Sequence, residues 1–346
     1  MLPLLLAAVI VAAPVTASAS APGQTGNPTV TLVTDNSFNV SNKVMRDFTK
    51  KTGVRVNVLP SGDAGAAVDQ AIATKSNPLG DVFFGVDNTL LARTLDAGIF
   101  VPYKSPELAN ISKDIQLDPH HRVTPVDTAD VCVNFDRKYF TDKKLTVPPT
   151  LDDLTKPEYK GLLVVENPAT SPPGLAFLLA TVRRFGPDGW PAYWEKLRDN
   201  GVKVVDSWDQ AYNSEFSGSA GKGNYPLVVS YSTSPPTEVH AGAQPDQPPT
   251  GALLDTCFRQ IEFAGILQGT THEKAAKQLV DFMLSDRFQR DIPLRMHALP
   301  ARDGTKLPSA FVKYAKVAPS PFSLPPAEIA KNRDQWIDQW TSTVLR

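Results

Sequence analysis

Apolar and polar positions along this chain switch repeatedly between the period of a strand and the period of a helix. Residues 30–33 form a short β-branched run, which predicts a strand. The polar turn Asp35-Asn36-Ser37-Phe38 follows and supplies a helix-capping group. Residues 44–51 show helical spacing, with Phe48 as the inward anchor and Gly53 as the stop. A second strand is predicted at 54–58 and an Ala-rich helix at 63–74. The next strand, 80–86, ends in Gly85-Val86-Asp87-Asn88, and a helix at 90–97 runs up to Gly98. Alternation of this kind builds a mainly parallel sheet covered on both faces.

A long β-prone stretch at 124–135 carries the chain from this first unit toward a second. The alternation then resumes. A short helix is predicted at 151–154, a strand at 161–166, and a polar loop from Asn167 to Gly174. An apolar helix follows at 175–185. A further helix at 190–200 places Trp190, Tyr193, Trp194 and Leu197 at packing intervals. Strands are predicted at 202–205 and 227–231, and an extended run at 252–266 returns the chain to the first unit. Helices at 272–283 and 326–343 close the chain. Trp336 and Trp340 share one face of the last helix and are assigned to packing. The expected division is 28–125 with 265–346 as the first unit, including the C-terminal helices, and 126–264 as the crossing strands and second unit.

The first residues change the picture of where the chain works. Residues 2–13 are almost wholly apolar, and Ala17-Ser18-Ala19 fits a peptidase site, so residues 1–21 read as an export signal. No Lys or Arg precedes the apolar run, and no Cys lies near it to carry a lipid. No later stretch is apolar for the ~18 residues a membrane-spanning helix needs. The 346 residues are 42% hydrophobic and 21% charged, with a formal net charge of -1. That balance offers nucleic acid no global attraction. Cys132 and Cys257 stand far apart in sequence, unlike a metal cluster. In an exported chain they either join as one disulfide between the two crossing stretches or remain two buried thiols.

Catalytic signatures are missing. The chain has no G-x-S-x-G elbow, no H-E-x-x-H zinc motif and no G-x-x-x-x-G-K-[S/T] phosphate loop. A secreted enzyme is the alternative of a different class, and assay for ligand turnover separates it from reversible binding.

Five segments occur in a telling order. They are Gly85-Val86-Asp87-Asn88-Thr89-Leu90-Leu91, the loop from Asn167 to Gly174, Ser207-Trp208-Asp209-Gln210-Ala211-Tyr212, Ser230-Tyr231-Ser232-Thr233-Ser234-Pro235, and Pro325-Pro326-Ala327-Glu328-Ile329-Ala330 through Trp336 and Trp340. With them, the chain from Val30 to Arg346 resembles the periplasmic thiamine-binding proteins of ABC importers, within the extracellular solute-binding group. The resemblance implies an α/β, two-lobed periplasmic-binding-protein fold with crossing hinge strands and a ligand held in the cleft. It implies no cofactor and no covalent chemistry. It also implies thiamine as the transported small-molecule ligand, an ABC importer permease as partner, and a monomer working outside the cytoplasm.

Candidate ligand residues follow from chemistry and from this resemblance together. Asp87 closes a β-rich run and is expected to face a cationic ligand; the competing role is a cap on the next helix. Trp208, Tyr212 and Tyr231 offer electron-rich rings beside strand ends, suited to a pyrimidine or a cation, against the competing role of lobe packing. Ser171 and Ser234 are candidates to hydrogen-bond a polar head group. Two positions depart from the family pattern. Asp35 stands where the early loop of thiamine binders can present an aromatic, and His297 where a later aromatic is expected. Asp35 adds charge for a cation, and His297 a hydrogen bond. A polyamine, a sulfonate or phosphonate, and a ferric ion are the alternative ligands. The last is disfavoured because Ser230 precedes Tyr231, so no adjacent tyrosine pair exists.

Overall fold

The computed structural model describes residues 28–219, 223–239 and 247–346. The expected export signal lies outside them. The first half runs β1 (Thr29–Thr34), α1 (Asn42–Thr52), β2 (Arg55–Pro60), α2 (Ala64–Ala73), β3 (Val82–Asp87), α3 (Leu91–Ala97) and β4 (Phe100–Val101). The long β5 (Thr124–Asp136) leads through α4 (Arg137–Lys143) to β6 (Leu163–Glu166), α5 (Pro172–Asp199), β7 (Lys203–Val205) and β8 (Leu227–Tyr231). The 18-residue β9 (Thr250–Leu267) returns. Then come α6 (Glu273–Met283), α7 (Asp286–Gln289), α8 (Ile292–Met296), β10 (Leu299–Pro300), α9 (Ser309–Tyr314) and α10 (Pro326–Val344).

The ten strands among the described residues join one sheet, with the path β2-β1-β3-β9-β5-β8-β6-β7. β1 pairs parallel with β2 and β3, and β6 pairs parallel with β7 and β8. Between these parallel halves, β5 and β9 cross antiparallel to each other. The two-lobed α/β architecture with crossing strands is therefore present. Cys132 on β5 and Cys257 on β9 are joined by a disulfide. The thiols-apart alternative is excluded.

Local sequence explains the layers. β3 is buried along its whole length, so both of its faces are covered. Val82 and Phe84 point into a core with Val44 and Phe48 of α1 and Leu279 of α6. Phe83 and Val86 point the other way, onto Ala67 and Val68 of α2. A register shift between Phe84 and Val86 accommodates Gly85, whose φ is 108°. A Cβ there would also sit 2.8 Å from Asp35 Oδ2. Only glycine tolerates both demands, and the result is to bring Asp35 against the end of β3. α1 ends at Gly53 in the left-handed conformation, as its sequence predicts, but its cap is Ser41 and not the turn at 35–38, which lies too far ahead of the helix.

The second half buries Leu163 and Val165 of β6 and Leu227 and Val229 of β8 beneath α5. α5 breaks at Gly186, where the backbone leaves helical geometry, so the two helices predicted at 175–185 and 190–200 are both present. The last helix, α10, touches both halves: it packs along α3 of the first and lays Trp340 edge-on to Trp194 of α5, with ring centroids 5.5 Å apart. Trp340 is fully buried there, which is the packing role expected of it. A periodic helix shows which face is apolar but not which surface will cover it.

Candidate functional site

Loops leaving the carboxyl ends of the parallel strands converge on a cleft of about 740 Å³. Its first-half wall is the turn Asp35–Asn39 after β1 together with Asp63 and Ala64 at the start of α2. Its second-half wall is Ser171 at the start of α5, Trp208 and Tyr212 after β7, and Tyr231 at the end of β8. The segment 294–298, the end of α8 and the two residues after it, closes the rim with Arg295 and His297. The crossing strands form the floor with Asp127, Ala129, Gln260 and Glu262. Six of the eight expected ligand residues thus share one cavity: Asp35, Ser171, Trp208, Tyr212, Tyr231 and His297. Asp87 and Ser234 do not line it.

The aromatic wall is held by hydrogen bonds behind it. Trp208 stacks on Tyr212, with centroids 5.1 Å apart and planes 13° from parallel. Trp208 Nε1 donates to Ser230 Oγ at 2.9 Å, and Ser230 Oγ meets Ser234 Oγ at 2.9 Å. Ser234 is therefore a positioning residue for the indole. Tyr212 donates its hydroxyl to Glu238 at 2.8 Å. Tyr231 and His297 flank the same indole at 6.0 and 5.7 Å. His297 Nδ1 lies 3.2 Å from Thr237 Oγ1, and the Thr233 hydroxyl donates to the His297 carbonyl. His297 comes from the segment after α8, so it ties that segment to the second half. Burial lowers its pKa from the ordinary imidazole value. Ser171 Oγ is buried with no hydrogen-bond partner at the start of α5, where Pro172 and Pro173 have no N–H to donate.

The acidic side has a different character. Asp35 is buried, and its Oδ1 accepts from Ser37 N, Ser37 Oγ and Phe38 N. Burial raises its pKa, and these three bonds oppose the rise. Asp87 is buried behind the cleft. Its Oδ1 accepts from Thr89 N at 2.9 Å, Thr89 Oγ1 at 2.6 Å and Leu90 N at 3.1 Å. These bonds close the turn between β3 and α3 and do not reach the N–H groups of α3 itself, so Asp87 braces the turn and does not cap the helix. Burial pushes its pKa up to about 6, and the Arg333 guanidinium of α10 pulls the other way.

Sequence reasoning missed Asp127 and Glu262. Glu262 on β9 is the register partner of Asp127 on β5 and of Asp87 on β3. Three carboxyls therefore stand in one row across three adjacent strands, on the same face. Asp127 is fully buried, and neither of its oxygens has a hydrogen-bond donor. Glu262 is half-buried toward the cleft, where Gln260 Nε2 approaches its Oε1 at 3.3 Å. Burial raises both pKa values, and the neighbouring acids add to the rise. The Tyr231 phenol is also held well above its ordinary value, by burial first and then by Glu262, Glu166, Asp35 and Asp87. The sequence carries no distinct signal for Glu262, because Gln260-Ile261-Glu262-Phe263 alternates polar and apolar residues like any strand with one outward face.

Among the described residues no group of three or more His, Cys, Asp or Glu is arranged to hold a metal ion. The site instead combines ring faces with carboxylates, the two groups that attract an organic cation.

Residues 77–331 match the family model described as bacterial extracellular solute-binding protein. The chain is 30% identical to a thiamine-binding periplasmic protein of Brucella suis biovar 1, over 94% of this chain and 95% of that one. It is 31% identical to a thiamine-binding periplasmic protein of Escherichia coli K12, over 78% of each. A solved periplasmic thiamin binding protein superposes with a TM-score of 0.80 at 24% identity, covering 92% of this chain and 97% of that one. The fold is shared more widely. A ferric binding protein from Campylobacter jejuni superposes with a TM-score of 0.72 at 18% identity, covering 91% and 99%.

Proposed function

We propose, for a chain that belongs to the bacterial extracellular solute-binding proteins, that its cleft captures thiamine or a closely related cationic heteroaromatic. The family binds solutes reversibly for import and performs no chemistry on them. Names of the relatives support thiamine in particular. The observation that carries the reading is the opposition, within one cavity, of the Trp208–Tyr231 rings and the Asp35 and Glu262 carboxylates. A flat pyrimidine suits the rings, and a quaternary thiazolium suits rings and carboxylates together.

In this proposal the two lobes are the halves of the sheet on either side of the crossing strands, with α10 assigned to the second. Residues 1–21 direct export, the protein works outside the cytoplasm as a monomer, and the loaded form docks on an ABC-type permease. Calorimetric titration tests the ligand with thiamine, thiamine phosphates, a pyrimidine fragment and spermidine. Thiamine or its esters should bind tightest. Trp208→Ala should weaken that binding about 30-fold, the scale of a desolvated cation–π contact of about 2 kcal/mol. Its fold must match the parent by circular dichroism. Spermidine binding with no response to any thiamine compound overturns the ligand. Thiamine binding unchanged in Trp208→Ala overturns the aromatic wall as the contact.

A further inference from the structure

We propose that Asp127 and Glu262 form a proton-exchanging receptor for the ligand's positive charge, so that binding a cation expels one proton to solvent. The inference rests on the reading of the cleft as a receptor for an organic cation. It adds which residues receive the charge and what leaves when they do.

Strand register creates the pair. Asp127 and Glu262 are directly opposed on two antiparallel strands, so their side chains emerge side by side on the same face. Like charges so placed repel, and a buried carboxylate without a donor is costly. Asp127 is such a group, fully buried with neither oxygen bonded, yet it lines the cleft floor. A single proton shared between the two carboxyls removes one charge and creates the missing donor. A cation entering the cleft does the same work from outside. It offsets one of the two negative charges, as the proton did, and the shared proton becomes superfluous. Written in full, the protonated pair plus the cationic ligand gives the doubly ionised pair with its ligand and one released proton. Charge balances at each side.

Neighbouring groups favour the exchange. Asp35 and Asp63 face the floor from the first half, Asp87 adjoins Glu262 on β3, and Tyr231 faces it from β8. Glu166 bears on Tyr231 from the end of β6, and Asp209 and Glu238 stand at the second-half rim. The cations are Arg295 at the rim and Arg333 behind Asp87. Burial lowers the His297 pKa and so favours its uncharged form. Asp130 and Arg259, further along the same two strands, bond each other. The raised pKa values of Asp127 and Glu262 agree with a proton held at neutral pH.

The test is calorimetric titration of thiamine at neutral pH in two buffers of different ionisation heat, with affinity followed from about pH 6 to about pH 8. The expected result is release of one proton per thiamine. Affinity should rise about tenfold per pH unit until the pair ionises unaided. Glu262→Gln and Asp127→Asn, each checked for fold, should lose both the proton release and the slope. A neutral analogue lacking the quaternary nitrogen should release nothing in the parent. His297→Gln should leave the slope unchanged. Thiamine binding without proton release and with flat pH dependence overturns the receptor while leaving the ligand reading intact. Spermidine binding with proton release, beside no thiamine binding, overturns the ligand reading and supports the receptor. One readout needs no ligand. The ligand-free parent should show an infrared band for a protonated carboxyl at neutral pH that is weaker in Glu262→Gln. Equal bands in the two proteins overturn the proposal.

Discussion

The crossing strands carry two charged pairs in the same register system, and the pairs are opposites. Asp130 faces Arg259, and Asp127 faces Glu262. Asp130 Oδ1 accepts from Arg259 Nε at 2.5 Å, and its Oδ2 accepts from Ala318 N at 3.1 Å. At the cleft floor, the same strands place acid against acid, and Asp127 has no donor at all. The backbone geometry of β5 and β9 therefore accommodates a satisfied pair without difficulty. An unsatisfied one a few residues away is not forced by the fold. Buried acids facing a cavity in this way store free energy that an incoming cation recovers.

Breaking the satisfied pair should produce the largest stability loss. Arg259→Met leaves Asp130 buried and unpaired, which should cost about 2–4 kcal/mol. Urea denaturation of the two proteins measures it. Thiamine-linked proton release should persist, because Asp127 and Glu262 are untouched. An Arg259→Met protein as stable as its parent would mean that the two pairs do not differ in the way their geometry implies.

Relieving the unsatisfied pair should act in the opposite direction. The folded protein binds protons at Asp127 and Glu262 more tightly than the unfolded chain does, since burial and like charge raise both values. Their contribution to stability is full below about pH 4, where both states are protonated. It is lost as pH rises through neutrality toward the folded values. Glu262→Gln removes one of the two carboxyls, so its stability should fall less with rising pH. Near pH 8 the variant should exceed the parent by on the order of 1 kcal/mol, while binding thiamine more weakly. Thermal melts across the pH range check the sign. Parallel curves for parent and variant would remove the distinction between the two pairs.

The contrast also shows what a sequence discloses. Gly53 and Gly98 stop their helices as predicted, because the left-handed cap is a local demand. Trp208 and Tyr231 are legible as cleft residues because strand ends in this fold open onto the cleft, and large rings there, in a motif resembling the family's, border it. Glu262 is not legible in the same way. In Gln260-Ile261-Glu262-Phe263, a polar residue alternating with apolar ones reads as an outward position. Only the register with Asp127 and Asp87 reveals that its face is the cleft floor. Ser234 is legible as polar and near the site, but its bond to Ser230 beneath the indole depends on how β8 ends. The irregular helix Gln210–Glu215, which seats Tyr212 under Trp208, leaves no mark in the periodicity.

Asp87 supplies the smallest expected effect and the finest test of the comparison. It stands in the same register row as Glu262, so proximity alone would make it a third member of the receptor. Its surroundings argue otherwise. Three bonds from Thr89 and Leu90 occupy Oδ1, and Arg333 balances its charge from behind. Its other oxygen, Oδ2, is buried and unbonded, and Asp87 does not reach the cleft lining. Asp87→Asn keeps an oxygen to accept the three turn bonds and removes only the charge. With an ordinary value raised to about 6, Asp87 is mostly ionised at neutral pH and repels charge on Glu262. Without it, Glu262 ionises more readily. The pH at which thiamine-linked proton release fades should therefore move down, while the affinity for thiamine should change by less than about threefold, under ~0.7 kcal/mol. Calorimetry across pH reads both quantities from one series. A loss comparable to that of Glu262→Gln would make Asp87 a direct receptor for the cation, and the row of three acids, not the Asp127–Glu262 pair, would be the unit that exchanges the proton.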